Sequence, residues 1–105
     1  MFKVFRTEEF EKRMKKLLTN EQQKRVDRIE DEIAEKGFVG DPLSFNFLRE
    51  KRISDKRVYF LVYDDLEIAL MVSISDKKMQ QETIGKIKAY LAEFRELVED
   101  IAKTT

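Results

Sequence analysis

The sequence predicts an α+β fold in which elements in the order β-α-α-β-β-β precede a long C-terminal helix. The first part of the chain repeats apolar residues at helical spacing, the middle part alternates them as strands do, and the last part returns to a helical repeat. A chain of 105 residues can bury one modest core. We therefore expect a single domain over residues 1–105, with a core of about 1–78 and an amphipathic helix of about 79–102.

The first strand and the first helix are predicted at the start of the chain. Phe2 and Val4 alternate with polar neighbours in a short run of strand-forming residues. Thr7 is a helix-capping residue, and the apolar residues that follow it recur mainly at spacings of three and four. The sequence therefore predicts a strand around Phe2 and Val4 and an amphipathic helix from Glu8 to Leu18.

A second helix begins with a capping box. Thr19 and Gln22 are spaced so that each side chain can accept a hydrogen bond from the other residue's free backbone N–H group. The apolar stripe of this helix consists of Val26, Ile29, Ile33 and Ala34. Gly37 stands where a glycine in the left-handed conformation commonly ends a helix. We expect the two helices to form an antiparallel hairpin with one tight connection.

Three strand-forming segments follow a loop that contains Gly40 and Pro42 within residues 38–44. The strands are predicted at Phe45–Ile53, Arg57–Tyr63 and Glu67–Ser75. Short polar turns separate them, so adjacent strands in an antiparallel sheet are the simplest topology.

The last two strands are apolar on both faces. We expect one face to pack against the helical hairpin through Val58, Phe60, Val62, Ile68, Leu70, Val72 and Ile74. The opposite face includes Leu61 and Met71. Because a sheet that is apolar on both sides needs cover on both sides, we expect the C-terminal helix, or a helix of a partner, to lie over this second face.

The longest periodic segment extends from about Met79 to Ala102. Its apolar residues alternate at spacings of three and four, and they are Ile84, Ile87, Leu91, Phe94, Val98 and Ile101. This pattern predicts one long helix with an apolar seam. The seam can pack on the chain's own sheet or pair with a second copy in a homodimer, and the spacing leaves both possibilities open.

The composition excludes several kinds of chemistry. The chain has no His and no Cys, so it has no disulfide and no site built on imidazole or thiolate, and we expect neither a cofactor nor a metal. Basic and acidic residues are equally numerous at 21 each, and this high charged content is typical of thermophile proteins. The sequence shows neither a signal-peptide core nor an apolar run of roughly 20 residues, so we expect a cytoplasmic protein without a membrane span.

Positive charge is concentrated between Arg49 and Arg57, where five residues are basic and two are acidic. A basic pair of strands beside Tyr59 can clamp phosphates, because guanidinium groups match phosphate oxygens and an aromatic ring can stack on a base. The alternative interpretation is an edge strand that its charges protect from aggregation.

The same segment resembles a known family. Residues 48–60, which read Leu-Arg-Glu-Lys-Arg-Ile-Ser-Asp-Lys-Arg-Val-Tyr-Phe, are similar without a gap to the Leu-Arg-Glu-x-Arg-Val-Gly-Asp-Tyr-Arg-Val-x-Tyr signature of the RelE/ParE toxin superfamily. Ser54 and Lys56 stand where the family usually has Gly and Tyr. The resemblance covers about residues 1–78, and it implies a toxin–antitoxin component with a small α+β fold.

RelE-like members of this family cut mRNA on the ribosome. Their reaction needs no metal, because the ribose 2′-hydroxyl attacks the adjacent phosphate and basic side chains stabilise the charge that develops. The resemblance implies catalytic roles for Arg57, Arg52, Lys51 and Arg49, and RNA contacts for Tyr59, Lys56 and Lys77. RelE-like nucleases usually carry Tyr or His just after the last strand, whereas here no aromatic residue precedes Tyr90 in that segment.

Three functions remain as expectations. The first is a toxin that acts as a ribosome-dependent mRNA endoribonuclease and inhibits translation, with an antitoxin protein and mRNA on the ribosome as its partners. The second is a non-catalytic RelE-fold interaction or dimerisation protein, in which the C-terminal helix forms a dimer seam or replaces an antitoxin helix. The third is a ParE-like inhibitor of DNA gyrase.

Overall fold

The computed structural model describes residues 1–104, which form five strands and four helices. The elements in chain order are β1 (Lys3–Arg6), α1 (Glu8–Leu17), α2 (Asn20–Lys36), β2 (Asp41–Leu43), β3 (Phe45–Ile53), β4 (Lys56–Tyr63), β5 (Ile68–Asp76), α3 (Gln80–Ala89) and α4 (Leu91–Thr104). The α+β class and the order of the predicted elements are confirmed.

The two N-terminal helices begin where their capping residues predict. The Thr7 hydroxyl accepts a hydrogen bond from the Phe10 backbone N–H at 3.1 Å. In the capping box, the Thr19 hydroxyl accepts from the Gln22 N–H at 3.1 Å, and the Gln22 side-chain oxygen accepts from the Thr19 N–H at 3.0 Å. Gly37 ends α2 with a φ of 72°, the left-handed region that favours glycine.

The five strands form one sheet in the order β1-β5-β4-β3-β2. Strands β3, β4 and β5 are antiparallel neighbours, as predicted. The sheet is not antiparallel throughout, because β1 pairs with β5 in parallel, which the intervening helices permit by returning the chain to the far edge. The predicted loop at residues 38–44 also contains an extra edge strand, β2, in which Pro42 is tolerated because an edge position needs no N–H donor on its outer side.

Each face of the sheet packs against a different pair of helices. The side that packs against α1 and α2, here called the hairpin face, encloses Phe10, Met14, Leu18, Val26, Ile33, Ile53, Val58, Phe60, Val62, Ala69, Met71 and Ile74. The side that packs against α3 and α4, here called the C-terminal face, encloses Leu48, Tyr59, Leu61, Tyr63, Ile68, Leu70, Val72, Ile87 and Val98.

A bulge in β5 overturns part of the predicted face assignment. The prediction placed Ile68, Leu70 and Val72 on the hairpin face, but they lie on the C-terminal face. The reason is a register shift: Tyr59 pairs with Ser73 while Phe60 pairs with Met71, so one residue of β5 is extra. An extra residue inverts the alternation of side chains on the preceding part of the strand.

The C-terminal segment covers the second face of its own sheet. Of the two predicted alternatives, packing on the chain's own sheet and pairing with a partner, the structure shows the first. Leu61 is fully buried in the cluster that contains Ile87 and Val98. The prediction of one continuous helix is wrong, because α3 ends at Ala89 and α4 begins at Leu91. A straight helix of that length would measure about 36 Å, as long as the molecule's largest dimension of 35 Å. Seam residues on both sides of the break, such as Ile87 and Val98, are buried in the same cluster on the C-terminal face.

Candidate functional site

The predicted site residues of β3 and β4 divide between the two faces of the sheet. Cross-strand partners share a face, and Arg52 is paired with Arg57 while Lys51 is paired with Val58. Arg57 and Tyr59 therefore lie on the C-terminal face, whereas Lys51 lies on the side of the hairpin face. Lys51 therefore does not converge with Arg57 and Tyr59 on a single point.

Arg57 is buried beside a carboxylate. It is only 6% exposed, and its Nε lies 3.7 Å from Oε1 of Glu50, which is 4% exposed. Gln80, the first residue of α3, donates a hydrogen bond from Nε2 to Oε2 of Glu50 at 3.2 Å. Nε of Arg57 has no hydrogen-bond partner among the described residues. A carboxylate therefore stands beside the arginine that the resemblance assigns to a phosphate, and α3 begins above this pair.

Tyr59 is also enclosed. Its side chain is fully buried, and its hydroxyl lies 2.8 Å from the Ser75 hydroxyl. Burial raises the pKa of Tyr59, while the hydrogen bond with Ser75 acts in the opposite direction. The phenol is neutral at neutral pH, and its ring cannot stack on a base while α3 and α4 are in place.

Arg49 forms hydrogen bonds with the loop that precedes β2. Its guanidinium donates hydrogen bonds to the carbonyl oxygens of Val39 at 2.7 Å, Gly40 at 2.9 Å and Asn46 at 2.9 Å, and to the Asn46 side-chain oxygen at 3.0 Å. It also lies over the Phe38 ring. Arg49 is 8% exposed, so these partners use its donors inside the protein. The arrangement gives Arg49 a structural role in holding the segment before β2.

The remaining predicted residues are more accessible. Lys51 forms an ion pair with Glu32 of α2 at 3.0 Å. Lys56 donates to Asp55 at 2.9 Å, and this hydrogen bond lowers the pKa of the Asp55 carboxyl. The exposed side chains of Arg52 and Lys77 have no hydrogen-bond or ion-pair partner within residues 1–104. Arg52 is the exposed member closest in register to Arg57.

Sequence reasoning missed the residues that enclose the site. From the sequence, Glu50 is only one of the two acidic residues in the basic segment from Arg49 to Arg57. It is two residues from Leu48 and therefore lies on the same face of β3. Strand alternation from Leu48 was the signal that could have placed Glu50 beside Arg57. Gln80 carried no local signal, because its contact depends on where α3 starts. Within the described part of the chain, no three His, Cys, Asp or Glu side chains are grouped to hold a metal ion, and no helix is long and apolar enough to cross a membrane.

Comparison with solved structures identifies the fold as that of RelE-like toxins. The isolated E. coli RelE toxin matches with a TM-score of 0.63 and 13% identity, covering 83% of this chain and 99% of RelE. The intact E. coli RelBE toxin–antitoxin complex matches with a TM-score of 0.63 and 11% identity, over 72% of this chain and 96% of the other.

A RelE mutant in complex with a peptide of the antitoxin RelB matches with a TM-score of 0.64 and 12% identity, over 78% of this chain and 93% of that chain. The sequence itself matches no family model and no curated protein. At 11–13% identity, these likenesses show the fold. The predicted RelE-like architecture is thereby confirmed.

Proposed function

We propose that this chain is the toxin-type component of a toxin–antitoxin system and that its partner is an antitoxin protein. The observation that carries the proposal is the extent of the fold: 99% of the isolated E. coli RelE toxin is covered by this chain. Two of the similar structures contain RelE bound to RelB or a RelB peptide. The matching signature in residues 48–60 supports the same conclusion.

The finer proposal is ribosome-dependent cleavage of mRNA in the cytoplasm. In this reaction the ribose 2′-hydroxyl attacks the adjacent phosphate, and Arg57, assisted by Arg52, would stabilise the negative charge that develops on the phosphate oxygens. Because Arg57 is 6% exposed and α3 begins above it, RNA can reach it only if α3 leaves the sheet. Cleavage therefore requires an opened state of the C-terminal face.

A direct experiment is to induce the protein in bacteria, follow growth and map mRNA 5′ ends. Arg57→Met removes the charge at similar length, Arg57→Lys retains it, and Arg95→Met is the matched control at a surface ion pair with Asp65. We expect growth arrest and new mRNA ends with the natural chain and Arg95→Met, and neither with Arg57→Met at an equal level of folded protein. Unchanged growth and transcripts with the natural chain would refute the nuclease.

A non-catalytic interaction protein is the second candidate, and the Glu50 carboxylate beside Arg57 favours it. In that case α3 and α4 are a permanent cover in place of an antitoxin helix. The same induction would leave transcripts intact, while the product of an adjacent antitoxin-like gene would still co-purify with this chain. Failure to bind that product would contradict the toxin–antitoxin proposal in both forms.

A homodimer through the C-terminal helices would need a different surface from the predicted seam. The seam residues pack on the chain's own sheet, whereas Tyr90 and Leu97 are 56% and 41% exposed. We propose these two residues as the dimer contact. Sedimentation velocity should show a dimer that Leu97→Lys converts to a monomer, and a natural chain that is monomeric at all concentrations would contradict this contact.

A further inference from the structure

A basic groove lies between α2 and the edge of the sheet formed by the end of β3. It has a volume of about 270 Å³ and is lined by Arg25, Arg28, Ile29, Glu32, Lys51 and Arg52. Four of these side chains are cationic and one is anionic. In a chain whose formal net charge is zero, the groove is a local concentration of positive charge.

Two rigid elements bring these residues together. Helix α2 contributes four residues, which are spaced by three, one and three positions and therefore lie on one side of the helix: Arg25, Arg28, Ile29 and Glu32. The β3 residues Lys51 and Arg52 alternate in direction, yet both reach the groove because β3 has no outer neighbour there. The pairing of β2 with β3 goes no further than Asp41 with Glu50, so β3 is an edge strand from Lys51 onward.

Three guanidinium groups in the groove have no carboxylate partner. Glu32 is used by Lys51, at 3.0 Å. Arg25 donates only to the Ser54 hydroxyl, at 3.3 Å. The side chains of Arg28 and Arg52 have neither a hydrogen-bond nor an ion-pair partner among residues 1–104. Guanidinium groups pair with phosphate oxygens through two parallel hydrogen bonds, so three of them along one groove favour a ligand with phosphate groups.

We propose that this groove binds the phosphodiester backbone of a single-stranded nucleic acid. Lys77 and Lys78, which have no ion-pair partner among residues 1–104, follow Asp76 at the same end of the sheet, whereas Lys56 at that end is paired with Asp55. The cations without a carboxylate partner in the groove and at this end of the sheet suit a polyanion with repeated charges. Arg52 is also the cross-strand neighbour of Arg57. A nucleic acid bound in the groove would therefore lie next to the edge of the C-terminal face that contains Arg57.

This inference deepens the proposed RNA-directed function, but its test measures binding and does not depend on cleavage, a ribosome or an antitoxin. The probe is a fluorescently labelled single-stranded RNA of about ten nucleotides, with DNA of the same sequence as a second arm, titrated by anisotropy. Arg28→Gln/Arg52→Gln is the test variant. Lys3→Gln/Lys103→Gln removes two exposed charges elsewhere and is the matched control.

We expect saturable binding of RNA and of DNA by the natural chain, since contact is through the backbone. The test variant should bind about tenfold more weakly and lose about 1.4 from the slope of log affinity against log salt, at roughly 0.7 for each phosphate contact on single strands. The control variant should change affinity less than about twofold, because it lies outside the groove. Glu32→Gln should tighten binding by removing the one anion.

Four results would overturn the proposal. The first is the absence of saturable binding at low salt, which is expected if the cations only protect an edge strand. The second is an equal loss in the test and control variants. The third is competition by poly-glutamate as effective as that by an oligonucleotide of equal charge, which would assign the groove to an acidic protein segment. The fourth is weaker binding by Glu32→Gln. Because Arg28 and Arg52 are exposed, their replacement should leave thermal unfolding unchanged.

Discussion

Both faces of the sheet are covered by helices, but the buried side chains on the two faces differ chemically. The hairpin face is closed by apolar side chains such as Phe10, Val26 and Phe60, and the buried Arg49 at its edge donates hydrogen bonds to the carbonyl oxygens of Val39 and Gly40. The C-terminal face has an apolar end around Leu61 and a polar end where Glu50 and Arg57 are buried together with Tyr59, Ser73 and Ser75.

Burial of polar groups is unfavourable unless each finds a partner. The nitrogen Nε of Arg57, which lies 3.7 Å from Oε1 of Glu50, and the hydroxyl of Tyr63 are both on the C-terminal face and are buried without a hydrogen-bond partner among the described residues. We infer that the cover of the hairpin face stabilises the fold more, for each unit of area that it buries, than the cover of the C-terminal face does.

The largest effect should come from neighbouring residues of β4 that point to opposite faces. Phe60 and Leu61 are both fully buried. Phe60→Ala should lower the free energy of unfolding by about 3–5 kcal/mol and Leu61→Ala by about 2–3 kcal/mol, because the lining of the C-terminal face can relax or admit water. Urea denaturation measures both changes.

The comparison of faces is wrong if Leu61→Ala proves the more damaging substitution. The same experiment tests the proposal that residues 1–105 form a single domain. In a single domain each variant shifts one cooperative transition, whereas two separate transitions would indicate that the C-terminal helices unfold independently.

The next effect concerns the buried pair on the C-terminal face. Glu50→Ala leaves the Arg57 guanidinium buried without a counter-charge and should lower the free energy of unfolding by about 3 kcal/mol. The double variant Glu50→Leu/Arg57→Met should recover most of that loss, since it removes both charges. Glu82→Ala, which breaks an exposed ion pair with Lys86, is the control and should change stability by less than about 0.5 kcal/mol.

A double variant as unstable as Glu50→Ala would contradict this account, because it would show that packing rather than unpaired charge causes the loss. Equal effects of Glu50→Ala and Glu82→Ala would mean that water reaches the pair. Either result would remove the distinction drawn between the polar end of this face and an ordinary surface.

The helix starts and the three antiparallel strands could be predicted from the sequence because their signals are local. Thr7 and Thr19 act through hydrogen bonds to residues three positions away. The bulge in β5 could not be predicted, since nothing near Val72 marks it and it is defined only by pairing with β4. The break at Tyr90 likewise has no mark in the heptad pattern, which continues from Ile87 to Leu91 at a spacing of four.

The candidate site was predictable in composition but not in arrangement. The prediction that basic residues lie on β3 and β4 is confirmed. Whether Arg49 is free or bonded depends on the loop carbonyls of Val39 and Gly40, which come from a different part of the chain. The covering of Arg57 depends in the same way on Gln80 of α3. Contacts between distant segments decided what the cluster can do, and residue spacing carries no information about them.

A smaller effect should appear at high pH and come from the C-terminal face, because the hairpin-face cluster contains no tyrosine. Burial raises the pKa of Tyr63 to about 12 from the ordinary value of 10.0, with Arg95 acting in the opposite direction. The unfolded chain releases this proton near pH 10, whereas the folded chain keeps it until about pH 12. The contribution of the neutral Tyr63 phenol to the free energy of unfolding is therefore fully present below pH 10. It decreases by about 2 kcal/mol as the pH rises from 10 to about 12.

The measurement is the unfolding free energy of the natural chain and of Tyr63→Phe between pH 9 and pH 11.5. The two proteins differ only in the Tyr63 hydroxyl, so the difference between the two curves isolates Tyr63. The variant should lose less stability with rising pH. Parallel curves would show that the Tyr63 hydroxyl reaches water, and the C-terminal face would then be more open than described.

The smallest effect compares the two tyrosines of the C-terminal face at neutral pH. Tyr59→Phe removes the hydroxyl that lies 2.8 Å from the Ser75 hydroxyl and leaves that group buried without its partner, so it should destabilise the fold by about 1 kcal/mol. Tyr63→Phe removes a buried hydroxyl without a hydrogen-bond partner among the described residues, so it should be neutral or stabilise by up to about 1 kcal/mol. Thermal unfolding at pH 7 resolves a difference of this size. Opposite signs would show that the hydrogen-bond partner of each buried hydroxyl decides the response, whereas equal losses in both variants would mean that ring packing alone sets the response and that the hydroxyl pair of Tyr59 and Ser75 contributes nothing.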